Sequence, residues 1–350
     1  LRAALGDLNL DHDAAVLEAL QGYGFPVEKT GKDALAAHLH DPVARALVSY
    51  RRLLAFTRDL APKILANEAQ YLDGRVRPTI DPLGAATGRF SYTAPNLQGI
   101  EKGDAVRRCF IPAPGCDFVV ADYAAIELRV LAHVTGDERL TAIFRDGGDP
   151  HAMTAGVLTG KPSTAVTKGE RQRAKAVNFG FAFGMGAESF REYALANYGV
   201  AVTLEEAQEF KAAYLNTYPG VAAWQRTMAR EKPSEVRSVS GRRRVRFDPK
   251  KAHSQRLAMR VQGTAADGIK RAMVLLYERL QPFGARLVLC VHDELVVEVP
   301  REHAAAVRDL VEATMIEGMA WFVSTVPIKV EADVRATWSS ESRVALEGTP

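Results

Sequence analysis

The stretch "DFVVADYAAIELRVLAHVTGD", Asp117–Asp137, changes its hydrophobic period at a single acidic residue. An apolar run reaches Asp122, and the residues that follow place Ile126, Val130 and Leu131 at helical spacing. The pattern therefore predicts a buried strand that ends on a carboxylate and is followed at once by a helix. A charge in that position needs a partner, because an isolated buried charge is costly.

Acidic residues also interrupt an apolar pattern in "ARLVLCVHDELVVEVP", residues 285–300. This stretch predicts a β-hairpin with His292, Asp293 and Glu294 at its tip. A polar turn alone would explain this tip, since Asp is common in turns. If Asp122 lies beside Asp293, two carboxylates ~4 Å apart repel by roughly 4 kcal/mol at an effective dielectric constant near 20. Either one carboxylate is protonated or a cation lies between them. Hard oxygen ligands without thiolates favour Mg²⁺.

The segment "TKGERQRAKAVNFGFAFGMG", residues 167–186, predicts a helix with one stripe of basic and aromatic side chains. Arg171, Lys175 and Phe179 are spaced at i, i+4 and i+8, and Phe183 follows on a slowly drifting face. Arg grips phosphate oxygens in pairs and Lys supplies a compact charge, so the stripe suits a triphosphate. A solvated basic face with core phenylalanines is the alternative. The glycines after Phe179 favour close approach of a ligand or another backbone.

Composition places the chain among ordinary globular proteins. Its 350 residues, 47% hydrophobic and 25% charged, suit two or three packed subdomains. No apolar run reaches the length of a transmembrane helix, so we expect no membrane association, and the first residues do not resemble a signal peptide. Three cysteines without CxxC spacing suit an intracellular, reducing compartment. The initial Leu1 indicates a fragment or a processed product, and the net charge of +3 permits a nucleic-acid partner.

Secondary-structure signals elsewhere mix helices and strands without strict alternation, which predicts an α+β fold. The predicted elements are helices over 1–80, loops over 80–116, helices over 150–232 with capping boxes Thr167/Glu170 and Thr203/Glu206, a hairpin around Gly241, a helix over 255–280, a helix over 302–319 and a final strand over 327–334.

Six stretches, taken in their order along the chain, resemble one protein family. The chain is similar to the polymerase region of family A DNA polymerases, the group of bacterial DNA polymerase I. The matching stretches are "TGRFSYTAPNLQGI" (87–100), "DYAAIELR" (122–129), "RQRAKAVNFGFAFG" (171–184), "YPGV" (218–221), "VQGTAAD" (261–267) and "VHDE" (291–294). They cover nearly the whole chain, and their common order makes the resemblance specific.

The resemblance implies a right-hand polymerase with an antiparallel palm sheet, helical fingers and a helical thumb. The expected ranges are 1–80 for the thumb, 81–136 and 258–350 for the palm, and 137–257 for the fingers. It further implies a monomeric, DNA-templated DNA polymerase that adds dNTPs to a primer 3′-hydroxyl on primer–template DNA and releases pyrophosphate. Two Mg²⁺ ions would assist. We expect no proofreading exonuclease within these 350 residues, although a longer multidomain chain could carry one.

Residue roles follow from the resemblance for the metal ions and the nucleotide. Asp122 and Asp293, with the carbonyl of Tyr123, would hold the two Mg²⁺, and Glu294 would be a supporting acid. Arg171, Lys175 and His151 would hold the triphosphate, and Lys175 would give a proton to the leaving pyrophosphate. The steric gate against a ribose 2′-hydroxyl would be Glu127. Phe179, with Phe183 beyond it, would pack near the incoming sugar and base.

Other residues would contact DNA. Arg89 and Gln262 would contact the minor-groove edge of the primer–template end, where all correct pairs present acceptors. Asn96 and Gln98 belong to the primer-contact segment, and His292 would lie near the primer terminus. In the basic hairpin "SGRRRVRF", residues 240–247, Arg243 is a candidate for the phosphate backbone, with a solvated turn as the alternative.

The sequence departs from the family pattern at several places. Phe183 stands where the family has a Tyr whose hydroxyl can reach the gate, so we expect Glu127 to be held less firmly. Ala125 replaces a Gln, and Ser254 and Ala258 replace an Arg and an Asn, with Arg256 and Arg260 nearby. The alternatives are a single-subunit RNA polymerase and a catalytically inactive nucleic-acid-binding module. The gate carboxylate and Phe183 argue against the first, and the presence of both acids and of the basic stripe argues against the second.

Overall fold

The computed structural model describes residues 1–35, 38, 41–71, 73–100 and 105–339. The chain divides into two compact units: a first unit formed by 1–76 and 149–217, and a second formed by 77–148 and 218–350. Residues 101–104 and 340–350, which fall in the predicted palm ranges, lie outside the described residues.

Helices and strands are mixed along the chain in an irregular order. The helices are α1 (Arg2–Leu5), α2 (Asp13–Tyr23), α3 (Lys32–Leu35), α4 (Pro42–Ala55), α5 (Ala61–Tyr71), α6 (Ile126–Thr135), α7 (Glu138–Arg145), α8 (Pro150–Thr159), α9 (Lys168–Ala182), α10 (Ala187–Tyr198), α11 (Leu204–Thr217), α12 (Pro219–Glu231), α13 (Ala252–Arg279) and α14 (Ala304–Ala320). The strands are β1 (Thr79–Asp81), β2 (Ser91–Thr93), β3 (Cys116–Tyr123), β4 (Val236–Arg237), β5 (Arg243–Arg244), β6 (Arg286–Val291), β7 (Glu294–Pro300) and β8 (Val330–Arg335).

The first unit is helical. Helices α2 to α4 enclose a small core that includes Val16, Leu20 and Leu47. Helix α9 packs against α8, α10 and α11. It begins at the predicted capping box, where the Glu170 carboxylate accepts the Thr167 N–H at 2.7 Å and the Glu170 N–H donates to the Thr167 hydroxyl at 3.2 Å. The second predicted box, Thr203 with Glu206, has the same reciprocal pair of bonds at 2.7 and 3.1 Å.

The second unit is built on a four-stranded antiparallel sheet in the order β6–β7–β3–β8. Helix α14 packs on β3, β7 and β8, and α13 packs on α14 and α6. The central strands β3 and β7 are almost entirely buried because helices and neighbouring strands cover them. An antiparallel sheet together with many helices confirms the α+β prediction.

Element boundaries differ from the predictions mainly by a few residues. The long helix α13 starts at Ala252 and not at 255, and β3 continues one residue past Asp122 to Tyr123. Residues 80–116, predicted as loops, also contain part of the short β1–β2 ribbon, whose strands pair Thr79 with Thr93. Among the helices described, none combines the length and the apolar character needed to cross a membrane.

Candidate active site

The end of β3 is joined directly to the tip of the β6–β7 hairpin. Asp122 pairs with Glu294 in the β3–β7 register, and the Tyr123 backbone N–H donates to the Asp293 carbonyl oxygen at 3.2 Å. Asp122 and Asp293 therefore lie at the same end of adjacent strands, as the sequence predicts. Both residues are half-buried, whereas His292 at the hairpin tip is exposed.

Two left-handed backbone positions flank these acids. His292 has φ of 58°, and Ala125, which precedes α6, has φ of 53°. A residue with a side chain adopts this region only where the surrounding structure enforces it, and such strain concentrates at functional sites. At Ala125 the turn is held by Arg129, whose buried guanidinium donates to the Ala124 carbonyl at 2.9 Å and to that of Pro327.

The buried thiol of Cys290 sits close to the acidic tip. Burial raises the pKa of this thiol to about 12, and the negative charge of Asp293 adds to the effect. The sulfur therefore stays protonated at neutral pH, in the form that binds metal ions poorly. Within the described residues, no three side chains of His, Cys, Asp or Glu come together in a way that could hold a metal ion.

Glu127, in the first turn of α6, forms an ion pair with Arg89. Their Oε1 and Nη2 atoms are 2.5 Å apart, and both side chains are largely shielded from solvent. The expectation that Glu127 is held less firmly for want of a tyrosine hydroxyl stays a prediction, and the structure adds Arg89, also in the second unit, as a partner of this carboxylate. Arg89 lies beside Gly88, where a Cβ atom would come 2.4 Å from Nε of Arg242.

The Arg242 side chain that fills this space is itself fixed. Its Nε donates to Oδ1 of the buried Asp267 at 2.8 Å, and the Asp267 carboxylate also accepts from the hydroxyls of Ser238 and Ser240. Arg242 is thus part of the framework of the basic hairpin. Arg243, one residue further, remains 67% exposed beside Glu235.

Three other DNA-contact candidates lie in the second unit. The Asn96 side chain accepts the Gln98 N–H at 3.1 Å, and the Gln98 amide donates to the Phe90 carbonyl at 3.1 Å. Gln262 lies half-buried on α13.

The replaced positions on α13 also have defined surroundings. The Ser254 hydroxyl donates to the Lys251 carbonyl at 3.0 Å, and Ala258 is half-buried. The Arg256 guanidinium donates to the Pro233 carbonyl at 2.9 Å, whereas Arg260 is exposed. Of the two neighbouring arginines, Arg260 is therefore the one whose side chain faces solvent.

Glu294, the first residue of β7, has a fully engaged carboxylate. Arg107 donates from Nη1 to both carboxylate oxygens at 3.1 and 3.2 Å, and the Trp338 indole N–H donates to Oε1 at 2.7 Å. All three side chains are buried. Neither Arg107 nor Trp338 was a predicted site residue, and the local sequence pattern gives no signal for either.

The basic stripe predicted on α9 is present in the first unit. Arg171 is exposed, while Lys175, Phe179 and Phe183 are half-buried, and Phe183 is the residue that caps the helix. Arg171 Nε lies 2.5 Å from Oδ2 of Asp149. Although burial opposes it, this hydrogen bond to Arg171 lowers the pKa of the Asp149 carboxyl.

His151 lies near the same stripe, with its ring centroid 5.6 Å from that of Phe179. The Asn178 amide nitrogen is 2.9 Å from Nδ1 of His151, and the Asn178 oxygen accepts from the Thr154 hydroxyl at 2.8 Å. With Asn178 donating to Nδ1, a neutral imidazole carries its proton on Nε2. Burial lowers the pKa of His151 to about 4, so the ring is neutral at physiological pH.

The glycines after Phe179 have reasons within the fold. A Cβ atom on Gly180 would come 2.6 Å from Cδ2 of Phe190, so this glycine lets α10 approach α9. Gly184 has φ of 72° just after α9 ends. These two glycines are therefore explained by packing and chain reversal, and they no longer argue for a ligand.

Comparisons with known proteins converge on one family. Residues 20–340 match the model described as DNA polymerase family A. The chain is 37% identical over 336 residues to the thermostable DNA polymerase I of Thermus aquaticus, covering 89% of this chain and 39% of that protein. It is 33% identical over 318 residues to DNA polymerase I of Aquifex aeolicus, covering 89% of this chain and 54% of that protein.

A solved structure is similar over almost the whole chain. The POL domain of Pol1 from M. smegmatis, in complex with DNA primer-template and dNTP, aligns with a TM-score of 0.82 and 28% identity. The alignment covers 96% of this chain and 62% of that one. The chain spans 39% of the length of the Thermus aquaticus relative and 54% of the Aquifex aeolicus one.

Proposed function

Because the chain belongs to DNA polymerase family A, we propose that it is a DNA-templated DNA polymerase. It extends a primer 3′-hydroxyl with dNTPs and releases pyrophosphate. One observation carries this proposal most strongly: the Tyr123 N–H to Asp293 carbonyl hydrogen bond, which joins the two strand ends that bear Asp122 and Asp293.

The residues at this edge suit divalent metal ions. Mg²⁺ takes one or two carboxylates and fills its remaining positions with water and phosphate oxygens, so a pair of acids without a third side chain is sufficient. Asp122 and Asp293, with the Tyr123 carbonyl, would hold two Mg²⁺. When bound, such ions supply positive charge at the attacking and leaving oxygens of the phosphoryl group. The protonated thiol of Cys290 does not compete as a ligand.

The triphosphate is held by side chains of the first unit. Arg171 and Lys175 supply positive charge one turn apart on α9, and Asp149 orients the Arg171 guanidinium. Neutral His151 donates its Nε2 proton to a phosphate oxygen. Lys175 also protonates the leaving pyrophosphate, and these contacts act mainly through position and charge.

Selection of the nucleotide depends on Glu127. Its carboxylate, fixed by Arg89 at 2.5 Å, excludes a 2′-hydroxyl from the sugar position. Phe179 and Phe183 pack near the sugar and base. Arg89 contacts the minor-groove edge together with Gln262, and His292 lies near the primer terminus.

Contacts to the DNA backbone and primer complete the proposal. Arg243 binds template or primer phosphate, and Asn96 and Gln98 belong to the primer-contact segment. We further propose that 1–80 form the thumb, 81–136 and 258–350 the palm, and 137–257 the fingers, and that the protein acts as a monomer in the cytoplasm.

Primer extension on a primed DNA template with Mg²⁺ tests this function. We expect dNTPs to be incorporated and rNTPs to be strongly disfavoured, whereas preferential rNTP use would support a single-subunit RNA polymerase. Asp122→Ala should abolish extension while DNA binding persists. DNA binding by the unaltered chain without any extension would support an inactive binding module.

A further inference from the structure

The Glu294 carboxylate, next to Asp293 in sequence, is deeply buried, and both of its oxygens accept hydrogen bonds. The Glu294 side chain is 2% exposed, and its oxygens accept two hydrogen bonds from Arg107 and one from Trp338. We call Arg107, Glu294 and Trp338 the Glu294 clamp. A carboxylate with both oxygens engaged in this way has little capacity left to bind a substrate or a metal ion.

Both donors of the Glu294 clamp are held by further contacts. Arg107 donates from Nε and Nη2 to the Ile100 carbonyl at 3.3 and 3.0 Å, and its guanidinium carbon lies 4.0 Å from the centre of the Trp338 ring. The Trp338 backbone N–H donates to the Phe110 carbonyl at 3.0 Å, and the rings of Trp338 and Phe110 pack edge to face with their centroids 5.5 Å apart. Each donor of the Glu294 clamp is therefore held by contacts other than its hydrogen bond to Glu294.

Its position in the sheet connects the Glu294 clamp to the acidic edge. Glu294 pairs with Asp122 across β3–β7 and with Val291 across β6–β7, so only His292 and Asp293 separate Glu294 from Val291, its partner in the hairpin. His292 has a positive φ of 58°, which two-residue hairpin turns favour at this position but which residues with a side chain seldom adopt. Fixing Glu294 therefore restrains the turn that carries Asp293.

The composition of the clamp suggests what it is for. A buried ion pair contributes little net stability compared with well-packed apolar residues, because both charges lose their hydration. In contrast, residues that do not touch the substrate but orient a catalytic group through hydrogen bonds commonly affect activity strongly. A buried ion pair directly after Asp293 fits the second role.

We propose that Arg107 and Trp338 are positioning residues that act through Glu294 on Asp293. They hold the hairpin tip so that the Asp293 carboxylate keeps its place beside Asp122. This inference rests on the proposed polymerase function, and it assigns Glu294 itself to positioning and not to contact with the nucleotide.

The test compares Trp338→Phe with Trp321→Phe. Trp338→Phe keeps a ring beneath Arg107 but removes the N–H that donates to Glu294. Trp321 is a matched control, because it also stacks on an arginine, Arg271, at 4.0 Å but is 69% exposed. We expect Trp338→Phe to lower kcat for dNTP addition by ~10-fold or more, with the KM for dNTP and the Kd for primer–template unchanged.

A second readout does not depend on activity. Hydrogen exchange of the peptide covering residues 286–300 should accelerate in Trp338→Phe and stay unchanged in Trp321→Phe. Glu294→Gln, which keeps the side-chain volume, should change both readouts in the same direction and replaces Trp338→Phe if that variant does not fold.

The outcomes separate this inference from the proposed function. Unchanged kcat and unchanged exchange in folded Trp338→Phe and Glu294→Gln would overturn the positioning role. A lower melting temperature with unchanged kcat would also overturn it, since that result indicates a purely structural contact. If the unaltered protein fails to extend primers, the polymerase proposal fails, and the exchange measurement alone decides whether the clamp holds the tip.

Discussion

The backbone N–H of Tyr123 donates to the carbonyl oxygen of Asp293 across 3.2 Å, which joins the end of β3 to the tip of the β6–β7 hairpin. This contact places two acids, 171 positions apart in sequence, at one edge of a buried sheet. The sheet register fixes the relative position of Asp122 and Asp293, because a slip of one residue would turn each side chain of a strand to the opposite face of the sheet.

Discrimination by the proposed gate residue Glu127 should depend on its ion pair with Arg89. Arg89→Ala leaves Glu127 without the ion pair seen at 2.5 Å. We expect the ratio of kcat/KM for dNTP over rNTP to fall by about 10-fold, the scale of one charge-assisted hydrogen bond. Incorporation assays with matched dNTP and rNTP measure this ratio.

Phe183→Tyr provides the comparison for that experiment. Because Arg89 already holds Glu127, adding a hydroxyl at Phe183 should change the ratio less than Arg89→Ala does. A larger effect of Phe183→Tyr would show that the ion pair does not control the gate.

Much of the site could be predicted from local sequence, and the reason is physical. Each of three features interrupts or follows a periodic pattern of hydrophobic residues. They are the acid at the end of β3, the acid at the hairpin tip and the basic stripe on α9. Such signals involve residues a few positions apart. The predicted capping boxes and the long helix α13 are confirmed for the same reason.

The partners of these residues could not be predicted in that way. Arg107 and Trp338 are 187 and 44 positions from Glu294, and Arg89 is 38 positions from Glu127. Only the folded chain brings them together. Of the two roles expected for Gly180, the structure shows the approach of another element, since the ring of Phe190 that needs its space lies on the next helix.

Protonation of His151 should destabilise the fold in mild acid. Burial lowers its pKa to about 4 from an ordinary value of 6.5, so between these pH values the unfolded chain binds more protons than the native one. The free energy of unfolding therefore falls as the pH drops from 6.5 towards 4, by at most about 3 kcal/mol from this group.

Denaturant unfolding at pH 7 and pH 4 checks this effect. His151→Gln should reduce the loss of stability between the two pH values, and His303→Gln, at a partly exposed histidine on another element, should not. An equal pH dependence in His151→Gln and the unaltered protein would contradict the assignment.

Asn178 should matter for nucleotide binding through His151. Its amide fixes the ring at 2.9 Å, so Asn178→Ala frees the imidazole to change its tautomer and orientation. We expect a several-fold higher KM for dNTP with a smaller change in kcat. Asn197→Ala is the matched control, because the Asn197 amide also donates a hydrogen bond, to the Tyr193 carbonyl, but the residue is exposed on α10.

The basic hairpin should contribute to DNA binding through Arg243. Removing one phosphate contact lowers the slope of log Kd against log salt by about one. We expect this change for Arg243→Ala and none for Arg308→Ala, at an arginine of α14 whose side chain is 40% exposed. Identical salt slopes for both variants would support the solvated-turn interpretation.

Packing between α9 and α10 should be disturbed by any side chain added at Gly180. Gly180→Ala forces the Phe190 ring to move, and overpacking of this kind costs about 1–3 kcal/mol. Gly186→Ala, where a Cβ atom meets nothing within 4 Å, should be close to neutral. Thermal unfolding compares the two, and Phe190→Leu in the Gly180→Ala background should restore part of the loss.

The most direct test of the account is single-turnover primer extension by Asp293→Asn in Mg²⁺, beside Asp309→Asn at an exposed acid on α14. If Asp122 and Asp293 form the catalytic edge, Asp293→Asn binds primer–template and dNTP but adds no nucleotide, while Asp309→Asn extends at the rate of the unaltered protein. Extension by folded Asp293→Asn at that same rate would contradict the central claim.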